Sequence, residues 1–188
     1  MQFLTELWLP ILLTAVGVYL ASCLIWMFTP LHKKDHLVPP DETDILAAIE
    51  KHGFKPGQYC LPWCTGADWK DPAFLERLKR GPWAWVVVME GPPSFARALA
   101  LWFPTQVLIA LLTAYAAWAA IGNQAGLEYL RVFQVVGSIA FLAHGGTMLH
   151  DHIWKGASWR LLPAKAVDAL VYALLTAGVF AWMWPGRI

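Results

Sequence analysis

Four runs of apolar residues, separated by polar stretches, set the pattern of the chain. They extend from about Leu7 to Phe28, Phe95 to Ile121, Leu127 to Leu149 and Leu162 to Trp184. Crossing roughly 30 Å of hydrocarbon at 1.5 Å per residue takes about 20 helical residues, so each run predicts a membrane-spanning helix. Ser94 is suited to cap the second, Pro104 removes one of its backbone donors, and Pro185-Gly186 stops the fourth. Trp83 to Met89 is apolar but only seven residues long, and predicts a strand or an interfacial segment. The first run has no basic leader and no small-residue cleavage site, so it predicts a retained anchor.

Composition supports lipid as the solvent. Of 188 residues, 58% are hydrophobic and 14% charged, and the mean hydropathy is +0.48. Twelve tryptophans suit the bilayer interface, where a flat amphipathic ring sits at headgroup level. A net charge of +1 provides no basic field for nucleic acid. Lys33, Lys34, Lys79, Arg80 and Arg97 fall on one side of a four-span arrangement, together with Lys155, Arg160 and Lys165. Arg131 and Arg187 fall on the other. Because Lys and Arg are retained inside, this distribution predicts cytoplasmic residues 31–94 and periplasmic N- and C-termini.

The expected organisation is an all-α integral membrane protein with a small α-rich cytoplasmic segment at the inner interface. Residues 1–30 form the first transmembrane helix, 31–94 the interfacial segment, and 95–188 helices two to four. Within 31–94, Asp41, Glu42 and Asp44 open a short helix that Lys51 and His52 close, with Gly53 beyond. Asp71 and Pro72 start a second, ending at Lys79-Arg80-Gly81. Tyr59 to Cys64 read as a loop between them. Eight Lys and Arg against nine Asp and Glu make this segment no polybasic arm. It is too small to bury a core of its own, so it is expected to lie against the helices and the inner interface.

Polar chemistry concentrates at the end of the third run. If that helix continues, His144, Met148, Asp151 and His152 lie on one face at i, i+4, i+7 and i+8, with His150 adjacent. Imidazole and thioether groups could ligate a transition metal or a haem, joined by Cys60 and Cys64 if their loop folds back. The simpler interpretation, favoured here, is an interfacial polar helix end, because no established ligand spacing is matched. Cys23 reads as a small apolar residue.

Asp168 lies about five residues into the fourth run, at the depth of His144 in the third. The two are expected to hydrogen-bond or pair, since an isolated carboxylate in lipid is costly. Asp168, Tyr172 and Thr176 continue as a stripe at i, i+4 and i+8. It is read as interhelical hydrogen bonding in preference to a proton or ion path. No nucleophile elbow, zinc-protease motif, phosphate-cradling loop or dinucleotide fingerprint occurs.

His32-Lys33-Lys34-Asp35, followed by Pro40-Asp41-Glu42, and the fourth run, Asp168-Ala-Leu-Val-Tyr172-Ala-Leu-Leu-Thr176-Ala-Gly178-Val-Phe180-Ala-Trp182-Met-Trp184-Pro185, carry a resemblance. In these residues the chain resembles an uncharacterised family of small bacterial four-helix inner-membrane proteins. The resemblance implies that setting and no activity. The expected function is that of a non-enzymatic accessory or interaction subunit in the bilayer, meeting other membrane subunits or further copies of itself. A metal- or haem-binding protein and a small proton-coupled transporter are the alternatives.

Overall fold

The computed structural model describes residues 2–186. Arg187, counted above on the basic-poor side, lies outside them. The chain is mostly helical and forms two units, one from residues 1–36 and 95–188, the other from 37–94.

The first unit contains α1 (Gln2–Phe28), α4 (Phe95–Ile121), α5 (Tyr129–Gly145), α6 (Met148–Trp154) and α7 (Leu162–Met183). A 3₁₀ turn, Trp159–Leu161, leads into α7. Four stretches, 2–28, 95–121, 129–154 and 159–183, are helical, long and apolar enough to cross a membrane. The first expected helix begins five residues earlier than its apolar run, because Gln2 to Glu6 continue the same turns. The third differs more. Gly145-Gly146-Thr147, all poor helix formers beside Ala or Leu, end α5 and begin the separate α6.

Alpha-7 packs on α5 and α1, and α4 packs on α1 and α5. The contact between α5 and α7 uses residues without bulk. Ala169, Ala173, Ala177 and Ala181 recur every fourth position on the inner face of α7 and are buried. A Cβ at Gly145 would stand 3.0 Å from that of Ala169, and one at Gly137 3.2 Å from that of Ala177. Small residues at this spacing let two backbones approach where hydrocarbon offers no hydrophobic drive. Larger residues point outward: Leu12, Leu20, Leu108, Leu112, Leu170 and Leu174 are all exposed. Leucines outside and alanines inside are the reverse of a water-soluble bundle, and compatible with a membrane setting.

The packed core sits at one end. Leu7 and Ile11 of α1, Ala114 of α4, Val132 and Val136 of α5, and Phe180 of α7 form it. This Trp184 end is also tied by hydrogen bonds. The Trp184 indole N–H donates to the Gly122 carbonyl at 2.9 Å, and the Gly126 N–H to the Gly186 carbonyl at 2.9 Å. Among the described residues, the opposite, Trp26 end contains no such cluster, and it holds the site described below.

The second unit contains α2 (Glu42–Lys51), β1 (Gly57–Leu61), α3 (Pro72–Arg80) and β2 (Ala84–Val88), with a 3₁₀ turn at Asp68–Lys70. Both helix starts are as expected. Asp41 accepts the Asp44 N–H at 2.9 Å, and Asp71 accepts that of Ala73 at 2.9 Å. Gly53 and Gly81 follow the two helices with positive φ, a conformation that favours glycine. The strands correct the all-α expectation. Residues 59–61, expected in a loop, belong to β1, which pairs antiparallel with β2 in the register Tyr59↔Val86 and Cys60↔Trp85. Tyr, Val and Trp suit a pleated, half-covered surface, and that preference was outweighed in the sequence by the flanking Gly and Pro. Thr65 donates from its N–H and its hydroxyl to Asp68, holding that carboxyl below the ordinary range.

Phe74 is the one buried side chain among the described residues of this unit, with the Arg77 guanidinium 5.4 Å above its ring. Local capping therefore contributes a large share of its order. Replacing Asp41 by alanine is expected to weaken α2 by about 1 kcal/mol. Amide hydrogen exchange on the full chain should then run about fivefold faster in the first turn of α2, and α3 should be unaffected.

Candidate functional site

At the Trp26 end, the chain leaving α1 turns back on the helices. Thr29 donates its hydroxyl to the Ile25 carbonyl at 2.6 Å, and a turn from Pro30 to Asp35 follows, closed by the Asp35 N–H on His32. The turn brings the His32 ring flat against that of Trp26, with centroids 3.9 Å apart and planes 5° apart. Arg160, from the turn preceding α7, donates to the Lys34 carbonyl at 3.2 Å.

His32 is buried between two carboxylates. Its Nδ1 is 2.7 Å from Asp35 Oδ2 and its Nε2 is 3.1 Å from Asp168 Oδ2. The first contact has hydrogen-bond geometry, whereas the second is a close approach without good alignment. Asp168 is 8% exposed, and its other oxygen, Oδ1, has no hydrogen-bond partner. A carboxylate this far from water needs such company, because desolvation penalises the bare charge.

Asp168 lines a cavity of about 450 Å³. Alpha-1 contributes Ser22 and Trp26, and α4 contributes Phe95 and Trp102. His144 and Met148 approach from the α5–α6 break, and Lys165 and Tyr172 flank Asp168 on α7. The Trp102 indole N–H donates to the Ser22 hydroxyl oxygen at 2.8 Å, joining α4 to α1 across the cavity wall. The hydroxyl of Tyr172, a residue 4% exposed, has no partner, and its ring meets that of His144 edge-on at 5.3 Å. Deeper in, Thr14, Gln106, His144 and Thr176 surround a smaller gap. The Thr14 hydroxyl, the Gln106 amide nitrogen and the neighbouring Thr113 hydroxyl have no partners either.

The structure brings His144 and Asp168 to one cavity but joins them to other residues. Asp168 meets His32, which arrives from the turn after α1, and His144 meets Tyr172. The stripe Asp168, Tyr172 and Thr176 is buried, as its spacing implies. Asp168 and Tyr172 face Trp26 of α1 across the cavity. Thr176 donates to the Tyr172 carbonyl of its own helix at 2.7 Å.

The proposed metal ligands within the four-helix unit form no cluster. Among the described residues, no three His, Cys, Asp or Glu side chains are arranged to hold a metal ion. The break at residues 146–147 turns His152 away from the face of His144. It is buried with Nδ1 2.8 Å from the Ala157 carbonyl, and its ring stacks on Trp159 at 5.2 Å. His150 is exposed and Met148 lines the cavity. Cys60 and Cys64 are free thiols of the second unit.

His32, Ser22, Trp102 and Gln106 are the site residues that sequence reasoning missed. His32 had a signal: a carboxylate five residues inside a span requires a partner at that depth, and His32 lies four residues beyond the first span. Gln106 had one too, as an uncharged polar residue well inside an apolar run. Comparison with protein-family models, curated proteins and solved structures returns no match.

Proposed function

We propose that the four-helix unit binds a small molecule at its Trp26 end, and that the protein acts in the membrane through this binding rather than through turnover. The observation that carries the proposal is the cavity itself. It has the volume of a ligand site and largely apolar walls, and two deeply buried polar atoms beside it, Asp168 Oδ1 and Tyr172 OH, lack partners. Each such atom lowers stability by about 1–3 kcal/mol when left unmatched, so a molecule that completes them is favoured. The stripe on α7 does not favour a through-path, because beyond Thr14 and Thr113 lies the packed core of Leu7, Ile11 and Phe180.

The Lys and Arg distribution supports an orientation with the Trp26 end toward the cytoplasm, which puts the cavity at the inner leaflet, and the family resemblance supports a bacterial inner membrane. Trp63, Trp83 and Trp85 of the second unit are exposed and supply surface for other membrane subunits, in keeping with an accessory role.

The test is organic extraction and mass spectrometry of gently purified protein, compared with the variant Ala98→Phe, which fills the cavity from α4, where Ala98 lines it. A compound retained by the natural protein and lost from the variant is expected. Identical extracts from two folded proteins would remove the proposal.

A further inference from the structure

The cavity also indicates what kind of molecule it takes, an inference that rests on the binding role proposed above. Alpha-7 presents Lys165, Asp168, Ala169 and Tyr172 at i, i+3, i+4 and i+7, and all four line the cavity. Lys165 is nearest the start of the helix, and Asp168 lies about 4.5 Å deeper along the axis. Among the described residues, Lys165 makes no hydrogen bond or ion pair, and Asp168 Oδ1 is unpartnered. The remaining charge at the wall is matched: Lys155 lies 2.9 Å from Asp151, and His32 holds the second oxygen of Asp168. At the mouth Lys165 acts on the Asp151 carboxylate only through space, and inside one acceptor is unpartnered, less than a helical turn away, so the two call for a ligand with the opposite polarity.

The walls agree with that polarity. Trp26, Trp102 and Tyr172 supply aromatic surface, which attracts an ammonium group. Met27 and Phe95 line the cavity and are exposed, so an apolar tail can leave where α1 ends and α4 begins. In helices of membrane-spanning length, these positions fall at headgroup level.

We propose that the cavity binds a zwitterion with a primary ammonium on Asp168 and a phosphate on Lys165, the chemistry of an ethanolamine phospholipid headgroup. A soluble aminoalkyl phosphate shares that chemistry.

The experiment titrates the full chain in detergent with short-chain phosphatidylethanolamine, phosphatidylcholine, phosphatidylglycerol and free phosphoethanolamine, reading tryptophan fluorescence. The ethanolamine lipid should bind at least about tenfold more tightly than the choline lipid, which has no ammonium N–H to donate to Asp168. Asp168→Asn and Lys165→Gln should each weaken it about tenfold. Lys165 lies at the mouth outside the packed core, so its variant keeps the test open if Asp168→Asn fails to fold. Binding of the lipid alone supports a lipid ligand. Equal binding of free phosphoethanolamine supports the same chemistry from a soluble source. Equal binding of phosphatidylglycerol or phosphatidylcholine, or indifference to both substitutions, overturns the zwitterion and leaves the cavity a binding site. Silence from every ligand, with Ala98→Phe extracting identically to the natural protein, removes the binding role as well.

Discussion

Replacing His32 by alanine should destabilise the four-helix unit by about 1–3 kcal/mol, as expected when a buried polar group loses its neighbour. Two losses combine. Asp168 keeps its carboxylate at 8% exposure with no partner on either oxygen, and Trp26 loses the ring stacked on it at 3.9 Å. Asparagine at position 168 removes the charge, so the double variant His32→Ala/Asp168→Asn should be more stable than His32→Ala alone. Thermal unfolding in detergent of the two single variants and the double provides the cycle. Additive losses would show that the imidazole and the carboxylate do not depend on one another.

Gly145→Leu is expected to cost about 1–3 kcal/mol through overpacking. Its Cβ alone would sit 3.0 Å from that of Ala169, and the rest of a leucine side chain has no space between α5 and α7. The damage should reach the cavity, because His144 precedes it directly and Ala169 follows Asp168. Gly178, on the same helix as Ala169, is the internal control: nothing lies within 4 Å of an added Cβ there. Gly178→Ala should be neutral or stabilising by up to about 1 kcal/mol, from helix propensity. Unfolding in detergent that ranks the two variants equally would remove the close helix contact as a source of stability.

Residues that act on their immediate neighbours were legible in the sequence. The bounds of α4 and α7 follow from apolar length and from Pro185, and the starts of α2 and α3 from Asp41 and Asp71 with their caps. Features set by a second segment were not. Beta-1 exists because β2 pairs with it, and Tyr59-Cys60-Leu61 alone, between Gly57 and Pro62, does not declare a strand. The end of α5 depends on three residues, 145–147, whose weak propensity is overridden in many helices, so the face assigned to His152 was lost with it, while His144, Met148 and Asp151 still line one cavity. The site divides in the same way. Asp168, Tyr172 and His144 announce themselves as polar groups in apolar runs. Their companions come from elsewhere: His32 from a turn whose direction no local pattern specifies, and Trp102 through a contact with Ser22 eighty residues away.

The ties at Trp184 have a mechanical consequence. With one end of the helices fastened and the other hollow, stiffness is unequal along the same rods, and α7 becomes a lever with its fulcrum at the fastened end. The stretch from Asp168 to Trp184 is about 24 Å long, so tilting it by about 5° swings Asp168 through about 2 Å. A displacement of that size would separate its carboxylate from His32 and disturb the close approach of Ala169 to Gly145, whereas Phe180, near the fulcrum, would move far less.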